Sequence, residues 1–278
     1  MKAYLPKTYP SRIICLSAEA VEILFRLGCA DRIVGVTAFA RKPVAARRKP
    51  RVSGFSSIDY DKIQALRPDL VITFSDVQAE AAKELIRRGH PVLATNQRSL
   101  EEILANILLL GRVVGREDAA RRLTYKLSNA MSRFSVLKGT GKRRPTVYFE
   151  EWDDPLISGV RWVGELIDLA GGRDIFPELR AQARAPDRVV ASQEVVRRQP
   201  DIIVASWCGK KVHLESFRTR PGWDSIPAVR AGRIYEIDSQ HILQPGLSLL
   251  RGLNDLRRII RAFPDPGKKR HFGATGPI

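Results

Sequence analysis

Five bulky aromatic residues stand where short apolar runs end: Phe39 after Ile33–Val36, Phe55 after Val52–Ser53, Phe74 closing Leu70–Phe74, Trp152 after Thr146–Glu150 and Trp207 after Ile202–Ser206. In open parallel sheets, ligands lie beyond the carboxyl ends of the strands, where loops are ordinarily polar. A single ring there is as readily a core residue, but five together point to a broad, flat, largely apolar ligand held on aromatic faces in one cleft. The polar candidates are fewer. His241 and Gln244 fall between a strand pattern at Ile234–Ile237 and a helix opened by Pro245-Gly246, whose first amides are free to donate to a ligand. Cys208, His213 and His241 are metal-ligand types, but no His-x-x-His or Cys-x-x-Cys spacing joins them, which argues against a metal site built by the protein. Cys208 or His241 could still meet a metal carried by the ligand. Asp153 and Asp154 are adjacent, so an extended chain sends them to opposite sides and they make no carboxylate pair. Gly-x-Ser-x-Gly, the phosphate-binding loop and the dinucleotide fingerprint are absent, and Gly159-Val160-Arg161-Trp162-Val163-Gly164 has the wrong spacing. The expectation is a binding protein, not an enzyme, with no cofactor of its own.

Residues so far apart need a scaffold to bring them together. Arg12–Leu16, Ile33–Val36, Val52–Ser53, Leu70–Phe74 and Val92–Ala94 read as buried strands, with helical patterns at Ala18–Leu27, Asp61–Arg67 and Val77–Arg88 between them. Strands alternating with helices predict a parallel sheet covered on both faces. Ser99 with Glu102 is a capping box that opens a helix carrying Leu100, Ile103, Leu104, Ile107, Leu108 and Val114 on one stripe. Gly115–Asp118 interrupts it. Ala119, Ala120, Leu123, Leu127, Met131 and Phe134 then restart the helical period, so this second helix is expected to brace two lobes. Beyond Gly139–Pro145 the alternation resumes, with strands at Thr146–Glu150, Ile202–Ser206 and Ile234–Ile237, and helices at Trp162–Ala170, Ser192–Arg198 and Pro245–Phe263. The fold class is therefore α/β, two lobes with parallel sheets joined by a long rigid helix. The expected division is 10–98, 99–138 and 145–263, followed by a disordered tail at 264–278 rich in glycine, proline and lysine.

Asp61–Ile72 and Gln193–Val204 share one frame of helix, Pro-Asp turn and apolar strand at a fixed offset, since 200 minus 68 and 201 minus 69 are both 132. The match favours two related lobes on either side of the brace.

Composition limits the partners. The chain has 278 residues, enough for two cores, and a net charge of +17. Its basic residues are spread along every helix and no nucleic-acid motif accompanies them, so a solvated surface is expected rather than nucleic-acid binding. Cys15, Cys29 and Cys208 are odd in number and far apart, which reads as reduced thiols. No apolar run approaches the roughly 18 residues of a membrane span, and Met1–Pro10 lacks the pattern of a secretory signal. As written the chain is expected in the cytoplasm, or in the periplasm if the true start lies elsewhere, and as a monomer.

Arg12–Glu22 (RIICLSAEAVE), Asp31–Val36 (DRIVGV), Ile63–Ile72 (IQALRPDLVI), Leu169–Phe176 (LAGGRDIF) and Val190–Val204 together resemble the substrate-binding proteins of ABC importers for cobalamin, haem and iron-siderophores. Glu150–Trp162, Ser206–Lys211 and Ile242–Gly246 are similar to the cobalamin-binding subgroup. The resemblance implies two α/β lobes on a rigid helix, a corrinoid as ligand, little hinge motion and an ABC transporter permease as partner. It places cleft aromatics on Phe39, Phe55 and Phe74. It also implies one acidic docking residue per lobe: the first falls on Asp61, and the second on Gln193 with Glu194 beside it. The alternatives it leaves are a haem or ferric siderophore, whose acidic groups would use the arginines, and a cytoplasmic corrinoid-handling enzyme or chaperone in which Cys208 or His241 contacts cobalt.

Overall fold

A computed structural model describes residues 8–54, 57–135 and 143–264. The first sheet is built from β1 (Ile13–Cys15), β2 (Ile33–Thr37), β3 (Arg51–Ser53), β4 (Leu70–Phe74) and β5 (Val92–Thr95), in the order β3-β2-β1-β4-β5 and parallel throughout. Its central strand β1 is fully buried, as a continuous Ile-Ile-Cys run requires when both faces are covered. The connecting helices are α1 (Ala18–Arg26), α2 (Tyr60–Ala65) and α3 (Ala79–Arg87).

The brace is a helical pair, α4 (Leu100–Val113) and α5 (Glu117–Ser135). Ser99 Oγ accepts from the Glu102 amide at 3.1 Å while the Glu102 carboxylate accepts from the Ser99 amide at 3.1 Å, so the capping box forms as its sequence predicts. Gly115 makes the break between the helices at a φ of +65°. Gly111 lets the pair close up, since a Cβ there would overlap the Cβ of Ala120. At 19 residues α5 is about 28 Å long. Its Ala120 and Leu127 pack into the first lobe's core, together with Ile107 and Leu110 of α4 and Val114 just after it. Its Met131, with Ile103 of α4, packs into the second. The pair is therefore embedded in both cores.

The second sheet contains β6 (Thr146–Asp153), β7 (Leu156–Ser158), β8 (Arg173–Asp174), β9 (Ile202–Ala205) and β10 (Ile234–Glu236), in the order β10-β9-β6-β7, with β8 also on β6. All pairs are parallel except the β6–β7 hairpin, which the strand-helix alternation did not predict. Its helices are α6 (Arg161–Ala170), α7 (Ser192–Arg198), α8 (Ser216–Thr219), α9 (Pro227–Arg230), α10 (Ser239–Ile242) and α11 (Leu249–Arg261). The closing helix thus begins at Leu249 rather than Pro245, with a separate turn of helix before it. The expected tail at 264–278 lies, after Pro264, outside the described residues, as does Phe55.

The repeated frame is a repeated structural device. Arg67 and Gln199, one residue before each proline and again 132 apart, both take positive φ, at 44° and 47°. The following aspartates do the same work. Asp69 accepts from the Ser11 and Arg12 amides, and Asp201 from the Thr146 amide, so each carboxylate holds the chain entering the neighbouring strand, β1 or β6.

Candidate functional site

The carboxyl ends of the two sheets meet across a cavity of about 530 Å³. Phe39 and Arg41, carried just beyond β2, line it from the first lobe. From the second come Trp207, Cys208, Lys210 and Lys211 after β9, the stretch 236–240 after β10, and Gln244. Four predicted residues, Phe39, Trp207, Cys208 and Gln244, thus converge on one cavity from opposite lobes.

The tryptophans are not bare platforms. Trp207 is only 3% exposed, stacks on Phe217 with ring centroids 6.3 Å apart, and donates its indole N–H to Glu150 Oε1 at 3.2 Å. Trp152 is half-buried in β6 and donates to the Asp154 carbonyl at 2.9 Å. Lys210 Nζ sits 4.2 Å from the centroid of Trp152 and 4.8 Å from that of Trp207, anchored by Asp153 at 2.5 Å. An ammonium therefore occupies faces that the aromatic pattern assigned to the ligand. Phe74 is not on the cavity lining. It packs against the second lobe's core, with the Arg98 guanidinium 5.7 Å from its ring centroid.

His241 is also engaged rather than free. Lys42 Nζ lies 3.0 Å from its Nε2, and Asp255 Oδ2 lies 3.4 Å from its Nδ1. Charged Lys42 has only donors, so Nε2 accepts and the ring proton resides on Nδ1, facing Asp255. The chain Lys42–His241–Asp255 thereby ties the loop after β2 to α10 and α11, across the lobes. A second tie is made by Glu22 of α1, whose carboxylate accepts from Ser248 Oγ at 3.1 Å and from the Ser248 amide at 3.3 Å, at the start of α11. Cys208 is exposed at the cavity rim, yet the protein around its sulfur, with Glu151 adding to the effect, pushes its thiol up from its ordinary value, which disfavours the thiolate a metal would need. Among the described residues no group of three His, Cys, Asp or Glu side chains is placed to hold a metal.

Beneath the cavity lies an ion pair that the sequence reading missed. Glu150 is fully buried and accepts from both terminal guanidinium nitrogens of Arg220, at 2.5 and 2.9 Å. Burial pushes its carboxyl up, opposed by Arg220 and by the Trp207 indole. Only the pairing of β6 with β9 brings these distant positions together. Lys210-Lys211 beside Trp207 is a visible signal for the cationic lining, whereas Arg41 stands among Lys42, Arg47, Arg48 and Lys49, where nothing in the sequence singles it out.

Of the docking candidates, the Asp61 side chain is 99% exposed, with Arg88 at 3.4 Å. Glu194 is clasped by Arg197 and Arg198, whose hydrogen bonds hold its carboxyl down to about 2.

These features accord with the comparisons. The chain is 25% identical over 272 residues to an uncharacterized ABC transporter substrate-binding lipoprotein of Bacillus subtilis, covering 95% of this chain and 83% of the other. It is 25% identical over 264 residues to the vitamin B12-binding protein of Vibrio parahaemolyticus, covering 93% and 91%. A crystal structure of a possible iron-binding, periplasmic solute-binding protein from Staphylococcus epidermidis shares the fold at a TM-score of 0.78 and 22% identity, over 91% of this chain and 99% of that one. Residues 13–241 match the sequence pattern described as "periplasmic binding protein", and on that match the chain belongs to the periplasmic binding protein family.

Proposed function

We propose that this chain holds a corrinoid in the cavity between its lobes and delivers it, outside the cytoplasm, to the permease of an ABC transport system. As a periplasmic binding protein it carries a ligand rather than transforming one, and that ligand is cargo, not a cofactor. The observation that carries the proposal is the two-lobed cavity, with Phe39 on one side and Trp207 and Gln244 on the other. Its size falls within the roughly 300–1,000 Å³ of small-molecule sites. Similarity along nearly the whole chain to a protein named for vitamin B12 supports the corrinoid among the family's ligands. In this reading Phe39 and Trp207 supply apolar area, Gln244 meets the amide-bearing rim, and Asp61 with Glu194 presents carboxylates to the permease.

Haem or a ferric siderophore is the second reading, and the basic lining favours it. Arg41, Lys210 and Lys211 are suited to a ligand bearing carboxylates. Calorimetric titration with cyanocobalamin and then haem, with absorbance spectra on the same samples, separates the two. Saturable one-to-one heat with cyanocobalamin is the expected result. Heat with haem alone moves the assignment to the second reading, and silence with both removes the two together.

A further inference from the structure

The surface of the brace bears a charge pattern that ligand binding does not use. At about 100° per residue, Ala120, Leu123, Leu127, Met131 and Phe134 of α5 face the cores, while Arg121, Arg122, Tyr125, Lys126 and Arg133 share an arc of about 140° on the opposite side. All five outward residues are exposed, and Tyr125, between Arg121 and Arg122 on the arc, is 69% exposed. Asp118, in the first turn, is exposed on the same arc, and after it the helix has no acidic residue. Among the described residues none of the four cations makes an ion pair. The neighbouring helix α11 carries further basic residues. Arg257 lays its guanidinium 4.7 Å from the Phe134 ring centroid, and Arg251, Arg258 and Arg261 are exposed beside it. The only acid on α11, Asp255, is already shared by Arg258 and His241. Four cations and a tyrosine, on a helix whose other face is locked into both lobes, form a rigid basic surface that includes an exposed aromatic.

We infer that this face of α5 docks on an anionic phospholipid surface. Phosphate headgroups complement the unpaired guanidinium and ammonium groups, and tyrosine prefers the boundary between headgroup and hydrocarbon. Leu109 of α4, 41% exposed, and Tyr9, 45% exposed beside Gly115, add apolar edges near the same helical pair. A duplex nucleic acid would use the charge, but it gives Tyr125 no apolar layer to enter. The contact is peripheral, because no described helix is long and apolar enough to cross a bilayer.

The test is cosedimentation of the full chain with vesicles of phosphatidylcholine alone and of phosphatidylcholine mixed with phosphatidylglycerol, at low and high salt. Binding is expected only to the mixed vesicles and should fall steeply with salt, as screening over a Debye length of about 8 Å at physiological ionic strength dictates. The variant R121Q/R122Q/K126Q/R133Q should bind at least about tenfold more weakly. Tyr125→Ser should weaken binding severalfold while leaving the salt dependence unchanged. Since these side chains are exposed, both variants should melt as the parent does. Absence of binding by the parent, equal binding by the quadruple variant, or tighter binding to duplex DNA than to the mixed vesicles would each overturn the inference. None of these outcomes depends on which small molecule the cleft holds.

Discussion

Glu19 opens α1 with its side chain 4% exposed, against Gly246 of the other lobe. Burial is the main reason its carboxyl is pushed up from 4.5 to about 7, and its Oε1 is buried with no hydrogen-bond partner. The sign follows from proton binding. Between pH 4.5 and about 7 the folded chain holds a proton there that the unfolded chain has released, so stability falls as pH rises through that window. The full change is about 3 kcal/mol. Glu19→Gln should remove this component: urea unfolding of the variant, compared with the parent at pH 5 and pH 8, should show the variant gaining stability relative to the parent at the higher pH. A gap that does not change with pH would mean that water reaches the carboxylate. Glu150 stands in contrast, since a buried carboxylate with a bidentate Arg220 has its compensation in place. Arg220→Ala should cost about 3–5 kcal/mol by stranding that charge, and part of the loss should return on acidification as Glu150 takes up a proton, measurable by denaturant titration at two pH values.

At the scale of elements, the two Pro-Asp turns do one job twice. Asp69 satisfies amides ahead of β1 and Asp201 does so ahead of β6, and each of these strands is central to its sheet. A turn that only reverses the chain would need no carboxylate, whereas a strand entering beside it has donors to satisfy. Asp69→Ala and Asp201→Ala should each lower stability by about 1–3 kcal/mol, with Asp201→Ala also freeing Arg143. Equal and additive losses in chemical denaturation would match independent lobes, and a strongly non-additive pair would show coupling through the brace.

For the whole molecule, the question is how far the lobes can move. α4 and α5 contribute side chains to both cores, and the ties Glu22–Ser248 and Lys42–His241 cross between lobes away from the brace. A hinge requires a few backbone positions to absorb the rotation, but here any rotation would tear packed side chains from one core. Small-angle scattering with and without bound ligand should therefore give radii of gyration within about 1 Å of each other. A larger contraction would show that the embedded helices bend.

The sequence by itself determined the elements, because local rules suffice for them. Strand and helix periodicity, the Ser99–Glu102 cap and the 132-residue offset are written in neighbouring residues, and all five strands of the first sheet appear within a residue or so of their expected positions. The family resemblance rested on the same short-range patterns. What only the tertiary structure decided was how side chains share space. The β6–β7 hairpin escaped because its three-residue return strand is too short to show a period. Trp207 and Trp152 appeared as platforms because a linear pattern shows which residues end a strand but not that Lys210 covers their faces. His241 looked like a free ligand until Lys42 and Asp255, far away in the chain, filled both ring nitrogens. Burial, pairing and the raised carboxyl of Glu19 depend on long-range contacts between the two lobes. Those contacts exist only once the chain has closed, so composition and spacing cannot supply them.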